Sequence, residues 1–370
     1  MDYKRSLTEE AVRLLNISDR PDLYHSIRRW ARVHIRHESV APVDTVNWPK
    51  GSLLCGLMHM AVRLQSSDNS PDRAVSVYAM ASVQDYLDRW IRAEAPLYNV
   101  DDTLAAQALL ALAEVYRTED LTLYDRYMKV AGGVMKFLYE HDADAEGVLP
   151  YRPAHHTGEI FADSLGMAVP FAVRYGLMRG DDDAIELGVR QMDAALKHMT
   201  DPDTGLPWHV YSLDENGAAH TAGALGWGRA LGWIMYGLGA SMEAMDKYPP
   251  ETPAAVMARK VVETHLGALS ETAERYRRDD GLFGSIIQDG SSAADTSASA
   301  MIIYGLKMRD DRAERGARRL PGEGYIEPVL PYIGSSGAVR QAQGECMGIG
   351  IYSDVYGSYP WSVGMTMMLV

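Results

Sequence analysis

The chain repeats one pattern, in which an Asp precedes an apolar helix, a second helix follows, and a short loop built on Gly and Leu ends the unit. The pattern occupies residues 101–149 and again 163–206, and a further copy opens at Asp295. Equivalent positions 102 and 163 are 61 residues apart, and 148 and 206 are 58 apart. A period near 60 fits two helices and two loops. A ring of such hairpins places the N-termini of alternate helices, and their Asp residues, around one mouth.

Apolar residues recur at helical spacing through most of the sequence. Predicted helices include residues 23–37, 52–64, 74–92, 103–116, 121–139, 164–177, 182–198, 225–245, 254–277, 296–308 and 311–320. They alternate between a kind rich in Ala and Gly, which can crowd at a centre, and a more charged kind that belongs outside. The sequence therefore predicts an all-α fold, an (α/α)6 barrel of six helical hairpins with inner and outer helix rings. An open α-solenoid is the alternative.

Composition limits the class of protein. The formal net charge of −14 argues against a nucleic-acid partner, because phosphate binding needs a basic surface. The first ten residues have no apolar core and no apolar stretch reaches about 18 residues, so we expect neither a signal peptide nor a membrane span. Two cysteines, Cys55 and Cys346, are too few for a disulfide framework and favour a cytoplasmic protein. Because no linker interrupts the hairpins, residues 1–370 are predicted to form one catalytic domain.

Three acidic residues stand at the heads of predicted inner helices: Asp101, Asp102 and Asp163. Each could serve as a helix N-cap that accepts bonds from backbone amides. Two such carboxyls brought together would instead have separated pKa values, and the more desolvated one would stay protonated as a general acid. Both interpretations can hold for one residue, and chemistry alone does not separate Asp101 from Asp102.

Aromatic and basic residues cluster in the segment that begins at Trp227. Arg229 and Trp233 are four residues apart and share a helix face, which suits a planar carboxylate and the face of a sugar ring. Alternatively, Arg229 pairs with a neighbouring carboxylate and Trp233 lies in the core. Trp208 and His209, in the preceding loop, add a flat surface and a titratable group.

The adjacent residues His155 and His156 lie in a loop that leads to Asp163. They lack the four-residue spacing of the helical zinc motif, so we expect them to contact substrate rather than metal. The sequence has neither a Gly-rich phosphate loop after a strand nor a serine nucleophile elbow. No metal and no organic cofactor are expected.

Together these segments resemble the unsaturated rhamnogalacturonyl hydrolases (glycoside hydrolase family 105) and, more distantly, the unsaturated glucuronyl hydrolases (family 88). The resemblance covers about residues 45–370, and six segments match in order: 46–51, 98–101, 160–167, 205–209, 227–233 and 295–301. Phe161 stands where the family usually has Trp, and Ala230 where it has Gly.

The resemblance implies an enzyme for oligosaccharides left by polysaccharide lyases, whose non-reducing end is a 4,5-unsaturated uronic acid. A general acid protonates C4 of this vinyl ether, water adds at C5, and the resulting hemiketal opens and releases the remaining sugar. By this resemblance Asp163 is the acid, and Asp101 supports it, with Asp102 the neighbouring candidate.

The resemblance also implies the substrate contacts. Arg229 and His209 would hold polar groups of the uronate, and Trp208 and Trp233 would stack on its ring. The full set of expected substrate-binding residues is Trp48, His155, His156, Trp208, His209, Trp227, Arg229 and Trp233. The expected partner is a small anionic oligosaccharide, and the protein would be a monomer or homodimer. The alternatives are an (α/α)6 enzyme for saturated sugars, either an inverting glycosidase or an epimerase, and a non-catalytic helical-repeat binding protein.

Overall fold

The computed structural model describes residues 2–17, 46–151, 158–313 and 324–370, together with residues 30, 34 and 35. His155 and His156 lie outside these residues, as do most of the predicted helix 23–37 and most of the predicted helix 311–320. The described residues form eleven α-helices and five short strands.

The helices follow the hairpin order that the sequence predicts. In chain order they are α1 (Tyr3–Leu15), α2 (Trp48–Gln65), α3 (Ser70–Arg92), α4 (Leu104–Glu119), α5 (Leu121–Glu140), α6 (Ala162–Arg179), α7 (Asp182–Met199), α8 (Gly228–Lys247), α9 (Pro253–Arg275), α10 (Thr296–Ala313) and α11 (Pro360–Met367). The inner helices are α2, α4, α6, α8, α10 and α11. The outer helices α1, α3, α5, α7 and α9 pack against them.

The inner helices close into a ring. Each packs on the next, and α11 returns to pack on α2. The closing contact is tight, because a Cβ on Gly56 would overlap the carbonyl oxygen of Gly364, and a Cβ on Gly364 would overlap that of Ser52. The prediction of an (α/α)6 barrel is therefore confirmed over the open solenoid.

The Gly loops share one local structure, which explains the sequence repeat. Gly147, Gly205 and Gly281 all have a positive φ, of 80°, 74° and 78°. A side chain would be strained there, so glycine is favoured. In the first two of these turns the starting Asp accepts backbone bonds: Asp144 Oδ1 from the Val148 amide at 2.8 Å, and Asp201 Oδ2 from the Thr204 amide at 2.9 Å.

Two antiparallel sheets add to the predicted all-α fold. The first has the order β1-β2-β3, with β1 at Ile160–Phe161, β2 at Trp208–Leu213 and β3 at Ala219–Leu225. The second pairs β4 (Ala342–Gln343) with β5 (Tyr356–Gly357). These strands are too short, and too far apart in the chain, to show a clear alternating pattern.

Three predicted helix bounds were wrong for local reasons. The helix predicted from residue 225 begins at Gly228, because β3 runs to Leu225. The helix predicted from residue 52 begins at Trp48, because Asn47 caps the Lys50 amide at 3.1 Å. The helix predicted to end at residue 308 continues to Ala313.

An α-helix that crosses a lipid bilayer needs about 20 consecutive, predominantly apolar residues. Within the described ranges, every helix falls short of the apolar length needed to cross one.

Candidate active site

The three-stranded sheet brings α6 and α8 together at the mouth of the barrel. Phe161 of β1 pairs with Val210 of β2, so Asp163 and His209 become neighbours although they are 46 positions apart. His209 Nε2 lies 3.2 Å from Asp163 Oδ2. Trp208 pairs with Leu225, at the end of β3, which leads directly into α8. Trp208 and His209 are therefore strand residues rather than loop residues.

Asp163 lies in the first turn of α6 but is not its N-cap. The cap position belongs to Phe161, which makes no side-chain cap bond. The Asp163 side chain is 19% exposed, whereas that of His209 is 2% exposed. The Asp163 carboxyl thus contacts buried His209 and keeps part of its own surface exposed.

Asp101 and Asp102 lie in a 3-10 turn, Val100–Thr103, directly before α4, and both are buried. Asp101 Oδ1 accepts a hydrogen bond of 3.2 Å from the Ser164 hydroxyl, next to Asp163. Burial raises the pKa of the Asp101 carboxyl well above its usual range, and the charges of Asp163 and Asp102 raise it further. Asp101 is therefore the buried carboxyl that retains a proton beside Asp163.

Asp102 faces the backbone instead. Its Oδ2 accepts the amide hydrogens of Tyr98 at 2.8 Å and Asn99 at 3.0 Å, which closes a capping box. Burial raises the pKa of Asp102 to about 6, although these two amide donors lower it. Asp102 is thus the N3 residue of this capping box, whose N-cap is Asn99, and is not itself an N-cap. The two carboxyls that the sequence left unseparated therefore differ in environment.

His209 is enclosed by aromatic rings and polar partners. Its ring centroid lies 4.4 Å from that of Trp227 and 5.2 Å from that of Phe161. Its Nδ1 is 2.9 Å from the Tyr352 hydroxyl oxygen. His209 therefore links Asp163 to Tyr352.

Arg229 is only 2% exposed. Its two terminal nitrogens donate to backbone carbonyls, one to Gln343 at 2.5 Å and the other to Gly344 at 2.8 Å. The guanidinium carbon lies 4.8 Å from the centroid of Trp227 and 5.6 Å from that of Trp361. The structure thus connects Arg229 to the β4–β5 hairpin, whereas the sequence pointed to a substrate carboxylate or a protein carboxylate as its partner.

Two of the other predicted Trp residues, Trp48 and Trp233, lie in contact, and the third, Trp208, lies on the sheet. Trp48 is half-buried and lies 4.8 Å from Trp361 and 6.2 Å from Trp233, measured between ring centroids. Trp233 is buried and meets Trp48 nearly edge-on. Trp208 is half-buried on the sheet. Trp48 and Trp208 are therefore the predicted rings with surface left for a ligand.

Sequence analysis missed three contributors to this site. Tyr352, Trp361 and the Gln343 backbone come from the last part of the chain and reach residues more than 100 positions away. Their only signal was aromatic residues among the glycines before the last inner helix. Across the described ranges, His, Cys, Asp and Glu side chains do not gather in threes as a metal site would require.

The site and fold together define a class. A closed ring of helical hairpins that gathers two interacting carboxyls, a histidine and aromatic rings at one mouth is the architecture of a carbohydrate-active (α/α)6 enzyme. Aromatic faces suit sugar rings, and paired carboxyls with different environments suit proton transfer.

Known structures share this architecture. A possible member of family GH105 from Salmonella enterica superposes with a TM-score of 0.74 at 19% identity, covering 100% of this chain and 92% of the other. The unsaturated glucuronyl hydrolase of Bacillus sp. GL1 superposes with a TM-score of 0.62 at 16% identity, covering 99% and 94%. At these identities the likeness shows the fold.

Sequence comparison shows the family. The unsaturated rhamnogalacturonyl hydrolase YesR of Bacillus subtilis (strain 168) is 25% identical over 226 residues, which are 60% of this chain and 61% of that relative's length. The family model described as Glycosyl Hydrolase Family 88 matches residues 25–310. The chain belongs to this family of glycoside hydrolases.

Proposed function

We propose that the enzyme removes a 4,5-unsaturated uronic acid from the non-reducing end of lyase-generated oligosaccharides. The observation that carries the proposal is the pairing of an accessible carboxyl, Asp163, with a buried one, Asp101, beside His209. The names of the relatives support it, since one is an unsaturated rhamnogalacturonyl hydrolase and another an unsaturated glucuronyl hydrolase.

The two carboxyls form an interacting pair, so their protons are best assigned to the pair. Asp101 is the member that burial keeps protonated, and Asp163 is the member with exposed surface. Only Asp163 can therefore reach a bound sugar. Asp101 supports Asp163 from the buried side of the pair, and Asp163 acts as the general acid.

In the proposed reaction, Asp163 donates one proton and receives one back, so the proton count balances. Asp163 gives its proton to C4 of the unsaturated ring, and the positive charge that develops at C5 is shared by the ring oxygen. A water adds at C5 and returns a proton to the Asp163 carboxylate. The C5 hemiketal then opens to a ketone, and the hemiacetal left at C1 collapses and releases the remaining sugar as an alcohol. Because no displacement occurs at the anomeric carbon, the usual two-carboxylate scheme for glycosidases does not apply.

Sugar contacts are assigned to the accessible rings. Trp48 and Trp208 keep exposed surface and would stack on the substrate, whereas buried Trp233 supports Trp48 from behind. This revises the expectation from sequence, in which Trp233 stacked directly. Proton transfer alone is worth roughly 10²–10⁴ in rate. The fixed geometry of the buried aromatic residues would contribute further by positioning the substrate.

The direct test is loss of the ultraviolet absorbance of the conjugated uronate. Purified protein would be mixed with unsaturated disaccharides from rhamnogalacturonan and glycosaminoglycan lyases. Wild type should remove the absorbance of at least one of them, and Asp163→Asn should be slower by roughly 10²–10⁴. Asp85→Asn is a matched control, because Asp85 is 68% exposed and pairs only with Arg89 in the described structure.

Two results would count against the proposal. Folded wild type that leaves every disaccharide intact but cleaves saturated sugars would move the assignment to an inverting glycosidase. Full activity in Asp163→Asn would remove Asp163 from the chemistry.

A cytoplasmic location belongs to the same proposal. Cys55 and Cys346 are both free thiols, as a reducing compartment favours. Activity in the cytoplasmic fraction of the source cells, and its absence from the medium, is the expected result.

A further inference from the structure

Tyr352 contacts the three-stranded sheet at a β-bulge. Trp208 pairs with Leu225 and Val210 with Ala222, so β3 carries one extra residue opposite His209. Such bulges often re-aim groups beside active sites. Here the extra backbone turns the Ala224 amide towards the Tyr352 oxygen, at 2.8 Å.

Gly223 makes this approach possible. Its φ is +80°, and a Cβ there would lie 2.7 Å from the Tyr352 oxygen and 2.9 Å from the His209 Cβ. A larger residue would push the phenol and the imidazole apart. The bulge therefore both supplies a hydrogen-bond donor and leaves room for the ring that receives it.

The hairpin that carries Tyr352 is fixed to the barrel. Arg229 holds the carbonyls of Gln343 and Gly344, and the Trp227 indole donates to Gln343 Oε1 at 2.8 Å. The Gln343 side-chain amide in turn donates to the Ser353 carbonyl at 2.9 Å, next to Tyr352. The position of the phenol is thus set by contacts on both sides.

The direction of the hydrogen bonds follows from these donors. The Ala224 amide can only donate, so the Tyr352 oxygen accepts from it. Burial raises the pKa of Tyr352 to about 12, so the phenol keeps its own hydrogen at neutral pH. The His209 Nδ1, at 2.9 Å, is the acceptor within reach. With Nδ1 accepting, a neutral imidazole carries its hydrogen on Nε2, which then donates to Asp163 Oδ2.

We propose that Tyr352 is a positioning residue that fixes the tautomer of His209 and thereby selects which oxygen of Asp163 carries the catalytic proton. With Nε2–H donating to Oδ2, the proton of Asp163 resides on Oδ1. In the other tautomer, a protonated Asp163 would give its hydrogen to Nε2, between the two side chains and away from the sugar. This role rests on the proposed function, but the tautomer itself can be measured without substrate.

The test combines kinetics with nitrogen NMR. Tyr352→Phe removes the hydroxyl and keeps the ring, which packs 5.0 Å from Trp227. We expect kcat to fall about 10- to 100-fold, as for loss of other outer partners of functional histidines, with KM little changed. Tyr356 lies in the same hairpin as Tyr352, and its hydroxyl donates to Ser285 Oγ at 2.8 Å. Tyr356→Phe is therefore the matched control, and its kcat should stay at the wild-type value.

The NMR measurement uses ¹⁵N-histidine-labelled protein without substrate, with the His209 signals assigned by their loss in His209→Gln. Wild type should show a hydrogen on Nε2 and none on Nδ1, and Tyr352→Phe should show a mixture of both tautomers. A hydrogen on Nδ1 in wild type, or an unchanged tautomer and unchanged kcat in Tyr352→Phe, would overturn the proposal. An Nε2–H wild type that leaves all unsaturated disaccharides intact would support the tautomer assignment and refute only the reaction.

Discussion

Asp101 and Asp102 are adjacent in sequence, yet the structure predicts different results when each is changed to Asn: a loss of hydrolysis for Asp101 and a change in the pH dependence of stability for Asp102. Asp101→Asn keeps the size of the side chain and an acceptor for the Ser164 hydroxyl, so the fold should persist. It removes the buried carboxyl that interacts electrostatically with Asp163. We expect hydrolysis to fall by roughly 10²–10⁴, the range for losing a positioned acid or base.

Asp102→Asn should act on stability and its pH dependence. Asn can still accept from the Tyr98 and Asn99 amides, so the cap survives in part. Folding raises the pKa of Asp102 from 3.8 to about 6. A carboxyl with a raised folded pKa stabilises the protein below its unfolded pKa, and this contribution is lost as pH rises through the folded pKa. At 1.36 kcal/mol per pKa unit, the loss is about 2 kcal/mol between pH 4 and pH 7, because part of the full effect is already lost at pH 4.

Asn does not titrate, so the variant lacks that loss. The free energy of unfolding of Asp102→Asn, minus that of wild type, should rise by about 2 kcal/mol between pH 4 and pH 7. Urea titrations at several pH values would measure the difference, and the absorbance assay would measure activity on the same samples. A flat difference would refute the argument from burial. Equal loss of hydrolysis in the two variants would refute the assignment of the supporting role to Asp101.

Two further substitutions test the frame that holds the site. Gly56→Ala places a methyl group against the Gly364 carbonyl, so we expect thermal or urea unfolding to show a loss of about 1–3 kcal/mol, whereas Gly133→Ala, where a Cβ meets open space, should not destabilise. Arg229→Lys lacks the planar guanidinium that donates to both the Gln343 and the Gly344 carbonyls. Leaving one carbonyl without a hydrogen bond should lower the free energy of unfolding by about 1–3 kcal/mol and speed proteolytic cleavage within residues 344–355. Equal cleavage rates in wild type and variant would show that Arg229 does not anchor this hairpin.

The sequence predicted the helical ring because its signals are local. The Asp caps, the Gly turns and the spacing of apolar residues all act within one hairpin, and their repeat implies the rest. Helix ends were less predictable where tertiary pairing decides them. The α8 start at Gly228 is an example, since β3 exists only because β2 lies beside it.

The same distinction between local and long-range signals applies to the candidate active site. Asp163, His209 and Trp227 were predicted because each stands at a fixed place in the repeat. The partners of Arg229 and His209 were not, because they come from the β4–β5 hairpin, more than 100 residues away. The 3-10 turn decides whether Asp101 or Asp102 accepts the backbone amides. Two adjacent Asp residues in a sequence do not predict that turn.

The contact between Gly56 and Gly364 has a consequence for how the protein is made. These glycines are 308 positions apart, and the helices that carry them close the ring. At a ribosomal rate of about 5–20 residues per second, about 15–60 s pass between synthesis of the first glycine and the second. During that time the face of α2 that later receives α11 has no permanent cover. The newborn chain therefore needs either a temporary neighbour for that apolar face, such as a chaperone, or a growing partial ring stable enough to wait.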